Sequence, residues 1–474
     1  MKKLKLVMVG NGMAGVRTLE ELLKIAPDLY DITVFGAEPH PNYNRILLSP
    51  VLAGEQTIDE IILNDWQWYA DNHITLHTGF TVTDVDRVRR IVHATSATGE
   101  TITAEYDRLI MATGSNPFIL PIPGKELQGV LAYRDIADTQ AMIDAAAHYK
   151  HAVVIGGGLL GLEAANGLMK RGMQVAVVHG SEWLMERQLD DVAGKMLQKA
   201  LQERGMQFLM KAQTQELLAD DAGRVRAVRF KDGTEVSADL VVMAVGIRPN
   251  VALAQSMRLH VNRGIVVNDT MQTTTDARIY AVGECAEHRG VAYGLVAPLF
   301  EQGKVAANHL AEFGIGRYQG SLTSTKLKVT GIDLFSAGDF MGGAGTEEIV
   351  MSDPGAGLYK KLVLKNDKLV GACLYGNTVD GSWYFKLLRD GRPVSDLRDK
   401  LMFGESNIGD SGHAGQNKAA SMPDDAEVCG CNGVTKGTIC KAIKEKGLFT
   451  LDEVRKHTKA SASCGSCTGL VEQL

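Results

Sequence analysis

The sequence predicts an α/β fold: two parallel-sheet units, a small α+β region and a separate C-terminal module. Three observations carry that prediction. A strand, glycine-loop, helix, strand pattern opens the chain at Gly10 and recurs at Gly156. Glycine is in excess, 51 of 474 residues, about 11% against a usual ~7%. It follows no G-x-y period, so the glycines belong in tight loops where backbone approaches a ligand. The seven cysteines are uneven: none precedes residue 285, and four stand in two tight pairs at the end.

Composition excludes several classes. Apolar residues make up 45% and charged residues 22%, which excludes wholesale disorder. The length suits two or three domains. Fifty basic against 56 acidic residues give a net charge of −6, without the clustered cations of a nucleic-acid face. No apolar run reaches the ~18 residues of a membrane span. The apolar run after Lys5 is short and ends at Gly10, so it reads as a first strand and not as a signal peptide. The cysteine placement argues against a secreted disulfide framework. It favours a cytoplasmic chain with a metal or redox site in its tail.

Residues 4–9 read as a strand, 16–25 as a helix and 32–35 as the next strand, a βαβ unit. The second copy has a strand at 152–155, a loop at 156–161, a helix at 162–170 and a strand at 174–178. Short strands and turns fill 64–95. Three apolar segments, 107–114, 238–246 and 279–284, each read as a buried strand ending in a glycine turn. Residues 320–402 alternate apolar and polar and form the small α+β domain. The Gly/Ser-rich stretch 403–426 is a linker. Residues 427–474 are too few for a core alone to suffice, which makes a metal staple plausible.

Gly10-Asn-Gly12-Met-Ala14-Gly15 fits G-x-G-x-x-G. Gly10 allows the turn, Gly12 lets backbone approach a pyrophosphate, and Gly15 lets helix pack on strand, with the helix N-terminus facing the phosphates. Glu38 follows at the spacing of an acid that binds a ribose hydroxyl. Gly156-Gly-Gly158-Leu-Leu160-Gly161 repeats the pattern. Two such units imply two dinucleotides, one tightly held and one exchangeable. In the second unit the strand-end acid is missing: His179 stands there, with Glu182 three residues on. No cation cluster precedes Arg187, which favours NADH over NADPH. His179 has two readings, a solvated loop residue or a group at the nucleotide.

In the tail, Cys429-Gly-Cys431 is followed by 32 residues and then Cys464-Gly-Ser-Cys467. Four thiolates in two pairs form a tetrathiolate site, for an iron–sulfur cluster or for zinc. Structural zinc uses C-x₂₋₄-C spacing, so C-x-C counts against it. Cys285, Cys373 and Cys440 read as buried small hydrophobes.

With these motifs in place, residues 4–310 resemble the FAD/NAD(P)H oxidoreductases of the pyridine nucleotide–disulfide reductase superfamily. Ala112-Thr113-Gly114, the 244–250 segment with Gly246, and Tyr280-Ala-Val-Gly283-Glu284 match that family's motifs. The resemblance implies two Rossmann-like domains: FAD on 1–115 and 247–318, NAD(H) on 116–246. It implies FAD at the Gly10–Gly15 motif, with Glu284 on the ribityl chain and Arg45 against the flavin ring. It implies NADH at the Gly156–Gly161 motif, with Glu163 near nicotinamide and flavin. Glu163 and Arg45 are therefore the catalytic candidates. The chain departs from the family in lacking a C-x₄-C pair, so electrons must leave the flavin by another route.

The tail resembles the bacterioferritin-associated-ferredoxin-like (BFD-like) module, which implies a [2Fe–2S] cluster on Cys429, Cys431, Cys464 and Cys467. The order of domains, with Tyr43-Asn-Arg-Ile-Leu-Leu-Ser49 and Gly294-Leu-Val-Ala-Pro298, resembles the N-terminal half of NADH-dependent assimilatory nitrite reductase large subunits. The chain stops shortly after Cys467 with no further ligand set. The expectation is therefore a standalone electron-transfer subunit, passing electrons from NADH through FAD and the cluster to the catalytic molybdenum subunit of a bacterial assimilatory nitrate reductase. Small domains of this kind mediate dimers in related folds, so a homodimer is one option, and the sequence leaves the oligomeric state open. Alternatives left open are a fragment of a sirohaem nitrite reductase, a rubredoxin or ferredoxin reductase, and a zinc-bound docking tail.

Overall fold

The computed structural model describes residues 3–329, 331–405, 419, 422–430, 432–462, 465 and 467–474. The chain divides into two compact units. The first comprises residues 1–45, 57–118 and 247–321, and the second 46–56, 119–246 and 322–474. Residues 46–56 thus belong with the second unit, although both flanking segments belong to the first.

The first unit is built on a five-stranded parallel sheet. Its order is Ile279–Ala281, Arg108–Met111, Leu4–Val9, Tyr30–Gly36, Ile74–Thr78. Parallel strands are covered on both faces and so read as continuous apolar runs; Leu6, Val7 and Met8 are buried in sequence. Helix Met13–Ile25 packs on helix Val296–Leu310, close enough that a Cβ on Gly303 would lie 2.9 Å from Thr18 Oγ1. A three-stranded antiparallel sheet, Phe80–Asp86, Ile91–Ser96 and Thr101–Glu105, completes the unit.

The second unit repeats the plan. Its parallel sheet runs Val130–Ala132, Leu240–Met243, His151–Ile155, Gln174–His179, Gln207–Met210. An antiparallel sheet of Thr214–Ala219, Val225–Phe230 and Glu235–Ser237 follows. The small domain is a five-stranded antiparallel sheet with helix Gly381–Asp390 packed on a core of Phe335, Leu362, Leu374, Trp383 and Tyr384. It is anchored to the dinucleotide sheet through Tyr359, whose hydroxyl donates to Asp190 at 2.7 Å. Asp190 in turn caps helix Asp191–Glu203.

The tail has its own core. Strand Glu427–Cys429 pairs with Val434–Thr435, and helices Lys436–Lys446 and Leu451–Thr458 close over Val428, Ile439, Leu448 and Val454. Thr450 and Glu453 form a reciprocal capping box on the second of these helices, satisfying two orphan donors. Most of the expected linker lies outside the described residues. Cys285 and Cys373 are fully buried, as expected, whereas Cys440 is only half-buried. Its helix turns that position toward the edge of a core too thin to cover it. Among the described residues no helix is long and apolar enough to cross a membrane.

Candidate functional sites

The two glycine loops have the same local construction. Gly10 has φ +104, and a Cβ there would lie 2.1 Å from the carbonyl oxygen of Ala112. Gly156 has φ +125 and would meet the carbonyl oxygen of Ala244 at 2.2 Å. Both turns therefore demand glycine, for conformation and for space. The third glycine of each motif is pinned by packing. A Cβ on Gly15 would lie 2.8 Å from Ala112 Cβ, and one on Gly161 would lie 1.9 Å from the Gly156 carbonyl oxygen. The middle glycines differ: at Gly12 and Gly158 a Cβ would meet nothing within 4 Å. Each is the N-cap of its helix and carries no side-chain cap. The first N–H groups of both helices thus face open space beside backbone with no side chain, the form of a pyrophosphate cradle. Leu160, in the first turn of the second helix, is exposed, and Ala14 on the first lies 3.0 Å from the Cβ position of Gly283.

Around the first loop, Ala112-Thr113-Gly114 is tied to the 246–250 segment. Thr113 Oγ1 donates to the Asn250 carbonyl at 2.7 Å, the Asn250 N–H donates to Gly114 O at 2.9 Å, and Ser115–Pro117 pairs antiparallel with Ile247–Pro249. Glu284 accepts from Ser115 Oγ at 2.6 Å. The N–H of Gly283 donates to Gln302 Oε1 at 3.0 Å, while Gln302 Nε2 is buried without a protein partner. A buried amide left unpartnered calls for an acceptor from elsewhere, so Gln302 joins this site; only its apolar helical setting was visible in sequence. Glu38 accepts from Tyr43 OH at 2.7 Å and is ion-paired with Arg45, whose guanidinium lies 5.1 Å from the Tyr43 ring centre. Arg45, expected at a flavin ring, is thus held by the residue expected at a ribose.

In the second unit, Glu163 projects from helix Leu159–Lys170. Ser49 Oγ donates to its Oε2 at 2.6 Å, and Tyr133 OH donates to Ser49 Oγ at 3.1 Å. The carboxyl lies deep yet keeps some solvent-accessible surface. Burial pushes its pKa up to about 7, only partly countered by the Ser49 hydrogen bond. Among the described residues no cation pairs with it to pull it back. Ser49 and Tyr133 escaped the sequence reading because they stand 114 and 84 residues from their partners. His179 is buried, 7% exposed, which excludes its reading as a solvated loop residue. The Gly157 N–H donates to its Nδ1 at 3.1 Å, an accepting role that draws the ring under the loop.

In the tail, Cys429 is 2% and Cys467 4% exposed, and both belong to the same small core. Thiols buried in one small core whose described members include no aromatic residue suit soft-metal ligation. Cys431 and Cys464 lie outside the described residues.

Residues 4–309 match the pyridine nucleotide-disulphide oxidoreductase model, 324–392 the rubredoxin NAD+ reductase C-terminal domain, and 427–474 the BFD-like [2Fe-2S] binding domain. The chain belongs to the pyridine nucleotide-disulphide oxidoreductase family. FAD and NADH are its dinucleotides, and the tail adds a [2Fe–2S] cluster. Over its full length the chain is 52% identical to the NAD(P)H nitrite reductase of Bacillus subtilis (strain 168), covering 58% of that protein. It is 47% identical to the assimilatory nitrate reductase electron transfer subunit of the same organism, covering 60%. The chain thus spans somewhat under two thirds of these relatives. Among solved structures, a covalent putidaredoxin reductase–putidaredoxin complex superimposes with a TM-score of 0.76 at 27% identity, over 86% of this chain and 97% of that one.

Cys285, the first cysteine, is sealed, with its Sγ 3.4 Å from Met111 O and 3.3 Å from Val282 O. Burial raises its pKa, which disfavours the reactive thiolate.

Proposed function

We propose that this chain oxidises NADH and delivers the electrons singly, through FAD and its [2Fe–2S] tail, to the catalytic molybdenum subunit of an assimilatory nitrate reductase. One observation carries the reading. Two dinucleotide cradles and a buried thiol core occupy one chain whose only cysteine among residues 1–309 is sealed. When bound, FAD accepts a hydride from NADH and gives up its electrons one at a time, which is what a [2Fe–2S] cluster can carry.

The residues divide the work as follows. Gly10, Gly12, Ala14 and Gly15 hold the FAD pyrophosphate against helix Met13–Ile25, and Glu38 takes its ribose with Arg45 fixing the carboxylate. Ala112, Thr113, Gly114, Gly283 and Glu284 line the same dinucleotide, with Gln302 Nε2 as a further donor. Gly156, Gly158, Leu160 and Gly161 receive NADH, and Gly246 leaves room beside them. Glu163 holds or releases a proton at its Oε atoms, steadied by Ser49. Cys429, Cys431, Cys464 and Cys467 ligate the cluster.

Glu163 gives a pH test. With its pKa near 7, the rate of flavin reduction by NADH should change across neutrality, and Glu163→Gln should flatten that profile. The stability consequence has a definite sign. A carboxyl whose folded pKa is raised destabilises the fold as pH rises from the unfolded value toward 7, and the loss stays constant above it. Thermal melts should therefore show Glu163→Gln gaining on the parent chain between pH 5 and 8. A parallel shift of both proteins with pH would reject the assignment.

The relative named nitrite reductase, matched at 52%, supports a second reading in which nitrite is the final acceptor. Co-purification from the native cell, followed by NADH oxidation with nitrate or nitrite added, separates the two. Reduced thiols set this chemistry in the cytoplasm. The homodimer through the small domain belongs to the same proposal, and sedimentation velocity checks it.

A further inference from the structure

We infer that Glu186 is the acid that receives the adenosine ribose hydroxyls of NADH in this chain, and that His179 is its positioning residue. The inference rests on the proposed docking of NADH at the Gly156–Gly161 loop.

Strand Gln174–His179 ends in an imidazole where a ribose-binding carboxylate usually stands. That imidazole is buried against the loop: a Cβ on Gly157 would lie 2.7 Å from His179 Cγ. The Gly157 N–H donates to Nδ1 at 3.1 Å. An acceptor at Nδ1 assigns the proton to Nε2. Nε2 lies 3.0 Å from the Trp183 carbonyl oxygen and 3.0 Å from Glu186 Oε2. The carboxylate missing from the strand end is thus supplied seven residues later and held on the ring that replaced it.

A second set of contacts fixes the same segment. The Met185 N–H donates to the Gly157 carbonyl at 3.0 Å, so both backbone polar groups of Gly157 are committed to residues 179–185. Met185 is fully buried and adopts φ 55. A non-glycine residue in the left-handed region persists only where its surroundings enforce it, and such residues gather at ligand clamps. The enforced turn sets Glu186, which is part-exposed, at the edge of the cradle.

Neighbouring charges agree with this role. Glu182, the other acid of the segment, pairs with Lys211 at the surface. Arg187 is exposed. A carboxylate accepts the two O–H groups of a ribose diol and repels a 2′-phosphate. Glu186 therefore both binds NADH and disfavours NADPH.

The test is anaerobic stopped-flow reduction of the flavin in the full-length holoprotein by NADH and by NADPH. Glu186 is partly exposed, so Glu186→Gln should fold. It is expected to lower the NADH:NADPH preference at least ~10-fold, about the value of one charge-assisted hydrogen bond. The loss should appear as weaker NADH saturation, not as a slower limiting rate. His179→Asn keeps an acceptor for the Gly157 N–H but removes the Nε2 contact. It should reproduce the same shift, and the double variant should add nothing to it. An unchanged preference in Glu186→Gln, or fully additive effects, overturns the inference. Failure of the docking reading looks different: Gly156→Ala would then leave reduction by both nucleotides untouched.

Discussion

Replacing Cys429 or Cys464 with serine is expected to leave NADH-to-dye flavin chemistry intact and to abolish reduction of the partner enzyme. The two cradles lie in residues 4–246 and share no residue with the tail core. Flavin reduction should therefore change less than twofold, an effect worth under about 0.5 kcal/mol. Electron delivery should fall by a factor of ~100 or more, because no other described thiol is placed to substitute. The tail should also lose structure. Among the described residues its buried core has nine members, and a domain this small needs a staple. Limited proteolysis should release residues 427–474 from the variant while the rest of the chain resists. The reduced parent protein should show the paramagnetic signal of a [2Fe–2S] cluster, and the variants should lack it. Partner reduction that survives in both variants would remove the cluster from the path.

Alanine at the first glycine of each loop should separate the two dinucleotides. At Gly156 the new Cβ would sit 2.2 Å from the Ala244 carbonyl oxygen at φ +125, and at Gly10 it would sit 2.1 Å from that of Ala112 at φ +104. Both obstacles are backbone carbonyls just past the ends of strands Arg108–Met111 and Leu240–Met243, and backbone cannot rotate away as a side chain can. The strain of the left-handed region adds to the overlap, so ~3 kcal/mol or more is at stake at each site. Gly156→Ala should purify yellow, with FAD bound, and show a rise of ~100-fold or more in the NADH concentration needed for half-saturation. Gly10→Ala should purify without flavin. Absorbance near the flavin bands and an NADH titration measure both. A Gly156→Ala protein that loses FAD and keeps NADH affinity would reverse the assignment of the two loops.

Periodicity and glycine spacing made the two βαβ units legible, because parallel strands buried on both faces are written as unbroken apolar runs. Leu4–Val9 has the bounds read from sequence, while helix Met13–Ile25 begins three residues earlier than its apolar pattern suggested. The early start has a physical reason: the first turn is set by Gly12 as N-cap and not by apolar contacts. The paired cysteines of the tail stood out by their spacing and Glu38 by its offset from the first glycine loop, whereas Glu163 was singled out only by the family resemblance. The burial of His179 was not legible. A polar residue at a strand end has no local signal for burial, and the amide that buries it belongs to Gly157, 22 residues upstream.

The amino-acid sequence by itself determined the two glycine loops, the two close cysteine pairs of the tail and the absence of a thiol pair after the first loop. Those features depend on residue type and short spacing, which local geometry translates directly. Tertiary structure alone decided the partners. Ser49 and Tyr133 reach Glu163, residues 46–56 join the second unit, Arg45 pairs with Glu38, and Glu186 docks on His179. Most of these contacts join segments far apart in the chain, and even the shorter-range ones arise at turns whose path is set by packing. No one-dimensional period encodes them, because they form only when the chain folds back on itself.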